Sequence, residues 1–290
     1  MIKDIQARTL LAAVKQPDPW FGLKYNLNLY RGCQHQCIYC DSRSECYRIE
    51  NFNDVLVKAN AIDLLRSELP RKRVKGTIGF GSMNDPYMPL EAERCLTRQA
   101  LELVAAHRFP VHIITKSDLV LRDLDLLRRI NQVYAAVSIT VTTSDDSLAA
   151  KLEPGAPSPS RRFAAMRQLS EAGIITGVTL MPVLPFIEDD ETALKALVAA
   201  AAASGALYIL ASFGVTLRDR QRDWYYRQLD RLFPGLRRRY EETYGERYSC
   251  YSPQARRLDD LLSQLCVEYG IQRRMPLYIP PAATSQPSLF

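Results

Sequence analysis

Short, continuously apolar runs alternate with amphipathic stretches along most of this chain. Residues 23–29 alternate loosely and end at Tyr30-Arg31-Gly32, a pattern that predicts a strand delivering Cys33 into a loop. Further apolar runs at 74–80, 111–116, 135–141, 174–181 and 207–212 predict more strands. Helical spacing lies between them: 52–69, stopped by Pro70; 91–107; 119–130; 160–172, ended at Gly173; and 191–204. Apolar strands separated by helices of about 10–15 residues describe a parallel sheet covered by helices. The crossovers are expected to be right-handed. Periodicity does not choose between an open sheet and a partial barrel. In either, the loops after the strands gather on one face.

This pattern divides the chain into a leader at 1–20 packing outside the core, a strand–helix core at 21–215, a charged, aromatic and mainly helical extension at 216–275, and a loosely ordered Pro-rich tail at 276–290. The run 193–215 has the apolarity of a membrane span, but Ser204-Gly205 breaks it into a buried helix and a buried strand. The N-terminal stretch lacks the apolar run of a signal peptide. A soluble, cytoplasmic protein is expected. Its 290 residues are 47% hydrophobic and 24% charged, an ordinary globular mixture. The net charge of +6 permits a nucleic-acid or phosphate partner without requiring one. No nucleophile elbow or Gly-rich dinucleotide signature appears, which argues against ordinary hydrolases and dehydrogenases.

The chemistry concentrates in the cysteines. Of seven, three fall within eight positions, Cys33-Gln-His-Gln-Cys37-Ile-Tyr-Cys40, too sparse for a disulfide scaffold and crowded enough for a metal site in a reducing compartment. Thiolates are soft ligands, suited to iron–sulfur clusters, zinc or copper. Three of them can wrap one face of a cubane cluster and leave the fourth iron open to a reactant. Zinc, with Cys46 or His35 as a fourth ligand, satisfies the same spacing, and so do ordinary buried thiols.

The C-x3-C-x2-C motif after a first strand, with the aromatic Tyr39 before the last cysteine, resembles the radical S-adenosylmethionine (SAM) superfamily. The likeness runs over about residues 20–215 and is nearest to the spore photoproduct lyase-like (DNA repair photolyase-like) subgroup in NLYRGCQHQCIYCDSR, GSMNDPYMPLE, IITKS and MPVLPFIED. The resemblance implies an α/β fold, a partial (β/α)6 TIM-like barrel, here with a C-terminal helical extension. It implies Cys33, Cys37 and Cys40 as ligands of a [4Fe–4S] cluster whose open iron binds the amino and carboxylate groups of SAM. One-electron reduction then cleaves SAM and yields a radical that abstracts a substrate hydrogen.

Carried onto this sequence, the resemblance points to Tyr39 and to Gly79, Gly81 and Ser82 near the SAM amino group, with Gly81 allowing close approach. It points to Lys116 for the carboxylate, Ser138 for the ribose hydroxyls, and Gly177 and Met181 beside the adenine. Each has a plainer reading: strand-end glycines, a rim lysine, a hydroxyl bonded to backbone, sheet packing. Asp85 is as consistent with a turn as with a substrate contact. Arg161 and Arg162, at a helix start where arginine opposes the dipole, suit either an anion or solvent. His35 suits a hydrogen bond within the cysteine loop better than a ligand role.

An electron donor such as flavodoxin or ferredoxin is implied, and DNA with two joined pyrimidines is the substrate suggested. The basic stretches 71–75 and 218–239 suit a phosphate backbone or a solvated face. Among Cys95, Cys250 and Cys266 none is assigned as a hydrogen donor. A radical enzyme acting on a peptide, an RNA base or a small metabolite remains open, as does a structural protein holding zinc or an inert cluster.

Overall fold

The computed structural model describes residues 1–16, 18–52 and 54–280. Its strands are β1 (Ile2–Ile5), β2 (Leu11–Ala13), β3 (Leu23–Leu27), β4 (Tyr30–Arg31), β5 (Val55–Lys58), β6 (Thr77–Phe80), β7 (Val111–Thr115), β8 (Ala135–Thr140), β9 (Ile175–Leu180), β10 (Tyr208–Ala211), β11 (Gly214–Thr216) and β12 (Ser249–Tyr251). Its helices are α1 (Ala61–Glu68), α2 (Glu91–Arg94), α3 (Leu96–Ala106), α4 (Leu124–Ile130), α5 (Asp146–Leu152), α6 (Pro159–Glu171), α7 (Glu191–Ala203), α8 (Asp219–Leu232), α9 (Leu236–Tyr244) and α10 (Ala255–Glu268).

The expected strands pair in chain order: β3, β6, β7, β8, β9 and β10 run parallel, with β2 added antiparallel outside β3. The edge strands are β10 and β2, so the sheet curls into a partial barrel without closing. Every residue of β8 is buried, as a strand covered on both faces requires. Val137 and Ile139 face the helices, and each such side chain contributes about 1.5–3 kcal/mol through burial.

Alternate residues of each strand face the barrel interior, where they stack in layers. At the N-terminal ends of the strands the filling is aromatic and polar. His112 Nε2 lies 2.8 Å from Ser138 Oγ, which lies 2.7 Å from the Tyr208 hydroxyl. The His112 ring stacks on Phe21 at 4.6 Å. The end of the chain closes this floor: Met275 is buried there and Tyr134 donates to the Pro276 carbonyl at 2.6 Å.

Several expected boundaries shift. The stretch 52–69 forms a strand before its helix, because the alternating Val55-Leu56-Val57-Lys58 pairs with β1 and β4. The leader at 1–20 is not outside the core: β1 and β2 join sheets, and Leu10 and Leu11 are buried. The stretch 142–160, between the expected strand and helix, contains α5, whose first turn is capped by Asp145 accepting from the Ser147 and Leu148 amides. The tail begins in order, with Gly22 approached by Leu277, while 281–290 lie outside the described residues. The extension is helical in α8–α10, but it also adds β12 to β11 and packs α10 on α7. Among the described residues no helix is long and apolar enough to cross a membrane.

Burial holds His112 neutral, its pKa pushed down to about 3. In the unfolded chain the ring takes a proton below its ordinary value, so stability present above that value is lost as pH falls. The apoprotein should therefore lose about 1.4 kcal/mol between pH 7.5 and 5.5 through this group alone. Urea unfolding at the two pH values should show that much less loss in His112→Gln than in the parent.

Candidate active site

A cavity of about 440 Å³ opens at the C-terminal ends of the strands. Its walls come from the loops after β4, β6 and β7, the ends of β8 and β9, and β11. The cysteine loop enters through Gly32 at φ +81°, where a Cβ would collide with the Asp54 carbonyl. Inside the loop Gln36 takes a positive φ and its side-chain amide donates to the Cys33 carbonyl at 2.8 Å. From outside, the Ile38 amide donates to the Leu152 carbonyl at 2.9 Å, and Gly155 lies so close that any Cβ would strike Gln34.

Cys33, Cys37 and Cys40 are free thiols on one wall of this cavity. Burial pushes Cys33 up to about 12 and raises Cys37 and Cys40 as well, with Lys116 pulling the latter two back. A thiolate here therefore needs a cationic partner, as soft metal ligands do. Among the described residues no three His, Cys, Asp or Glu side chains converge as a single-ion site. A cubane cluster makes no such demand, since each thiolate takes its own iron. Three free thiols beside an open cavity fit a cluster with one exposed iron and a ligand on it.

Two buried carboxylates hold the loop. Asp85 faces His35 Nε2 at 3.0 Å and accepts from Thr115 Oγ1 and the Lys116 amide, each at 2.6 Å. Burial opposes its charge, yet His35 and these donors bring it down to about 2. His35 Nδ1 lies 2.9 Å from the Gly155 carbonyl, so the ring bridges two loops. Glu153 takes the Tyr39 hydroxyl, pairs with Arg162 at 2.5 Å and lies 3.7 Å from Lys116 Nζ. Burial works against it too, but Lys116 and Arg162 hold it below the usual carboxylate range.

Of the residues singled out in the sequence, Tyr39, Gly81, Ser82, Lys116 and Met181 are brought together in the cavity wall with the cysteines. Gly81 has φ +97° and backs onto the Ile114 carbonyl. Gly79, Ser138 and Gly177 lie deeper. A Cβ on Gly79 would meet Leu23 and one on Gly177 would meet Tyr208, while Ser138 belongs to the His112–Tyr208 chain. Thr140, two residues beyond Ser138 and facing the same way, is the cavity residue on β8, and its hydroxyl lies 2.7 Å from that of Thr179. Arg161 is exposed and pairs with Asp118, whereas Arg162 is fully buried and donates to the Thr140 carbonyl at 3.0 Å. Cys250 is buried among tyrosines on β12, Cys266 is in the core, and Cys95 links α2 to α3.

Sequence reasoning missed Glu153, which lies between the expected strand at 135–141 and the expected helix at 160–172, and the hold of the extension on the cysteine loop. Arg220 donates to the carbonyls of Arg43, at 2.8 Å, and Ile49, at 2.5 Å, and Gln221 donates to the Tyr39 carbonyl at 3.2 Å. Arg218 pairs with Asp41 at 2.7 Å and lies between the rings of Tyr47 and Tyr248. The strong apolar and polar alternation of α8 was the available signal. The basic turn 71–75 precedes β6 and so lies at the end of the barrel opposite this cavity.

Residues 27–197 match the family model described as the Radical SAM superfamily. An uncharacterized protein of Mycobacterium tuberculosis is 34% identical over 259 residues, 86% of this chain and 75% of the relative. A radical SAM Nα-GlyT isomerase of Pseudomonas phage M6 is 27% identical over 155 residues, 53% of this chain and 32% of that protein. In structure, spore photoproduct lyase complexed with dinucleoside spore photoproduct superposes with a TM-score of 0.70 at 17% identity, covering 92% of this chain and 79% of the other.

Gly81 is the most demanding position in the cavity wall. Gly81→Ala places a methyl group against the Ile114 carbonyl and strains the left-handed backbone. It should cost about 1–3 kcal/mol in urea unfolding of the apoprotein.

Proposed function

The chain belongs to the radical SAM superfamily, whose members use a [4Fe–4S] cluster and S-adenosylmethionine, and on that footing we propose that Cys33, Cys37 and Cys40 hold the cluster and that the enzyme abstracts hydrogen from a nucleic-acid substrate. The observation that carries this reading is the set of three free thiols on one wall of the barrel-mouth cavity. When bound, the cluster and SAM together supply a one-electron cleavage that leaves a carbon radical able to take a hydrogen atom.

This chain's own residues bind, orient and shield. Gly81 and Ser82 offer backbone and a hydroxyl beside the thiols for an ammonium group. Lys116 offers a point charge for a carboxylate. Burial opposes its charge, but Cys37 and Glu153 hold its pKa above the ordinary lysine value, so it stays cationic. Thr140 and Met181 line the deeper wall, where a ribose and a flat base have hydroxyl and apolar neighbours. Low local polarity at this buried wall strengthens each of these contacts.

The cavity rim supports the nucleic-acid reading. Gly214 and Thr216 on β11 line the cavity, and their partners on β12 are Tyr251 and Ser249. Tyr251 is 61% exposed and Tyr248 is 48% exposed, with the Arg218 guanidinium 5.4 Å from the Tyr248 ring. Exposed aromatic faces beside arginine suit stacked bases on a phosphate chain. Spore photoproduct lyase, with the same fold, has been captured with a dinucleoside photoproduct and with AdoMet.

Anaerobic protein reconstituted with iron and sulfide should convert SAM to 5′-deoxyadenosine in the presence of dithionite, as read by mass spectrometry. The Cys33→Ala/Cys37→Ala/Cys40→Ala variant should bind background iron and form none. Zinc in the parent with no 5′-deoxyadenosine overturns the proposal. For the substrate, Tyr248→Ala and Tyr251→Ala should each weaken binding of a pyrimidine-rich single-stranded oligonucleotide by about 1–3 kcal/mol. Fluorescence anisotropy showing no binding by the parent, or equal binding by all three proteins, removes nucleic acid as the substrate class.

A further inference from the structure

Arg43 follows the last cluster cysteine by three positions and is 6% exposed. Its guanidinium is sandwiched between the Phe52 ring at 4.1 Å and the Trp224 ring at 4.0 Å. One edge donates to Gln36 Oε1 at 2.7 Å, and the Gln36 amide donates in turn to the Cys33 carbonyl. The buried Nε has no hydrogen-bond partner, and among the described residues no carboxylate lies within ion-pair distance of Arg43.

A buried cation without an anion is costly, and stacking on two rings offsets only part of that cost. The other two arginines among the described residues that are buried to this degree, Arg162 and Arg222, each have a carboxylate. Burial pulls the Arg43 pKa down to about 10, and negative charge on Cys40, Cys37 and Cys33, once they are thiolates, pulls it back up. A [4Fe–4S]2+ core on three thiolates carries a single negative charge, and one reducing electron doubles it.

We infer that Arg43 is the counter-charge of the cluster, a positioning residue that favours the reduced state and raises the reduction potential. The inference rests on the three cysteines holding the cluster. The redox step is the uptake of one electron by the 2+ core from a low-potential one-electron donor, giving the 1+ core, with no bond made or broken. Because Trp224 belongs to α8, the extension beyond the barrel completes the buried slot around this charge. The slot is closed from outside by Arg220, bonded to the Arg43 carbonyl at 2.8 Å.

The test pairs two measurements on the full chain. In the reconstituted holoprotein without SAM, an EPR-monitored redox titration gives the cluster midpoint. In the apoprotein, heat denaturation gives the melting temperature. Arg43→Met, which keeps the stacked volume and drops the charge, should move the midpoint to more negative potential. It should leave the apoprotein at least as heat-stable as the parent, since the unpaired buried charge is gone. Arg43→Lys should hold the midpoint nearer the parent's.

A midpoint unchanged in Arg43→Met overturns the inference. So does an Arg43→Met apoprotein that melts lower or fails to fold, because the arginine is then a strut and not a counter-charge. Loss of cluster iron from Arg43→Met with unimpaired apoprotein melting supports it, as the electrostatic hold on the cluster has been removed. A parent that binds no iron and sulfide overturns the cluster reading itself and the inference with it. A parent with a normal cluster separates the two.

Discussion

The carboxylate of Glu153 is the point through which the cysteine loop, the cavity and the barrel wall are joined. It takes the Tyr39 hydroxyl from the loop, the Arg162 guanidinium beneath β8, and the cavity lysine at 3.7 Å. Arg162 extends the link to the carbonyl of Thr140, a cavity residue, and to that of Pro157. A charge this deep survives only because it has several partners, and breaking one buried ion pair leaves the other charge stranded at a cost of about 3–5 kcal/mol. The wall carrying the thiols is thus fixed to β8 by charge, where a loop of this length would otherwise be free to move. Asp85 does the same work on the other side, joining His35 to the end of β7.

The extension is part of the same construction. In a barrel of parallel strands the loops at the C-terminal face carry the site, and they are the least self-supporting part of the fold. Here α8 lies against the turns after Cys40, with Arg220 collecting their carbonyls and Gln221 reaching Tyr39. Arg222 holds the extension to itself, donating to the carbonyls of Leu217, Gly245, Glu246 and Arg247. Two of the arginines in 218–239, a stretch that looks like a solvated or phosphate-binding face in the sequence, are therefore spent on backbone carbonyls.

The barrel was legible because β6 to β10 are buried on both faces and read as mainly apolar runs, while β3 alternates. The motif at Cys33, Cys37 and Cys40 was legible because spacing along one loop is a local property. The depth of a side chain within a barrel is not local. Ser138 and Thr140 share a face of β8 and differ by one layer, and only the pairing with Gly177 and Thr179 shows which of them meets the cavity. The strand at Val55–Lys58 was hidden for the same reason, since its partners β1 and β4 are supplied from elsewhere in the chain. Glu153 and Arg162 were ambiguous as single residues, and their meaning lies in each other.

Charge balance draws these parts together. Around the thiols, Arg162 and Lys116 share Glu153, while Asp85 is claimed by His35 and by neutral donors from Thr115 and the Lys116 backbone. Arg43 has no carboxylate among the described residues, so the buried surroundings of the cysteine loop carry more cation than anion. A protein interior does not hold such an excess without a reason, because each uncompensated charge is stabilised far less there than in water. Three thiols that resist ionisation alone, and a nearby cation that lacks a carboxylate among the described residues, are complementary halves of one arrangement. An anionic group bound across the thiols satisfies both at once, and the same excess at Lys116 is placed for the carboxylate of a ligand beside it.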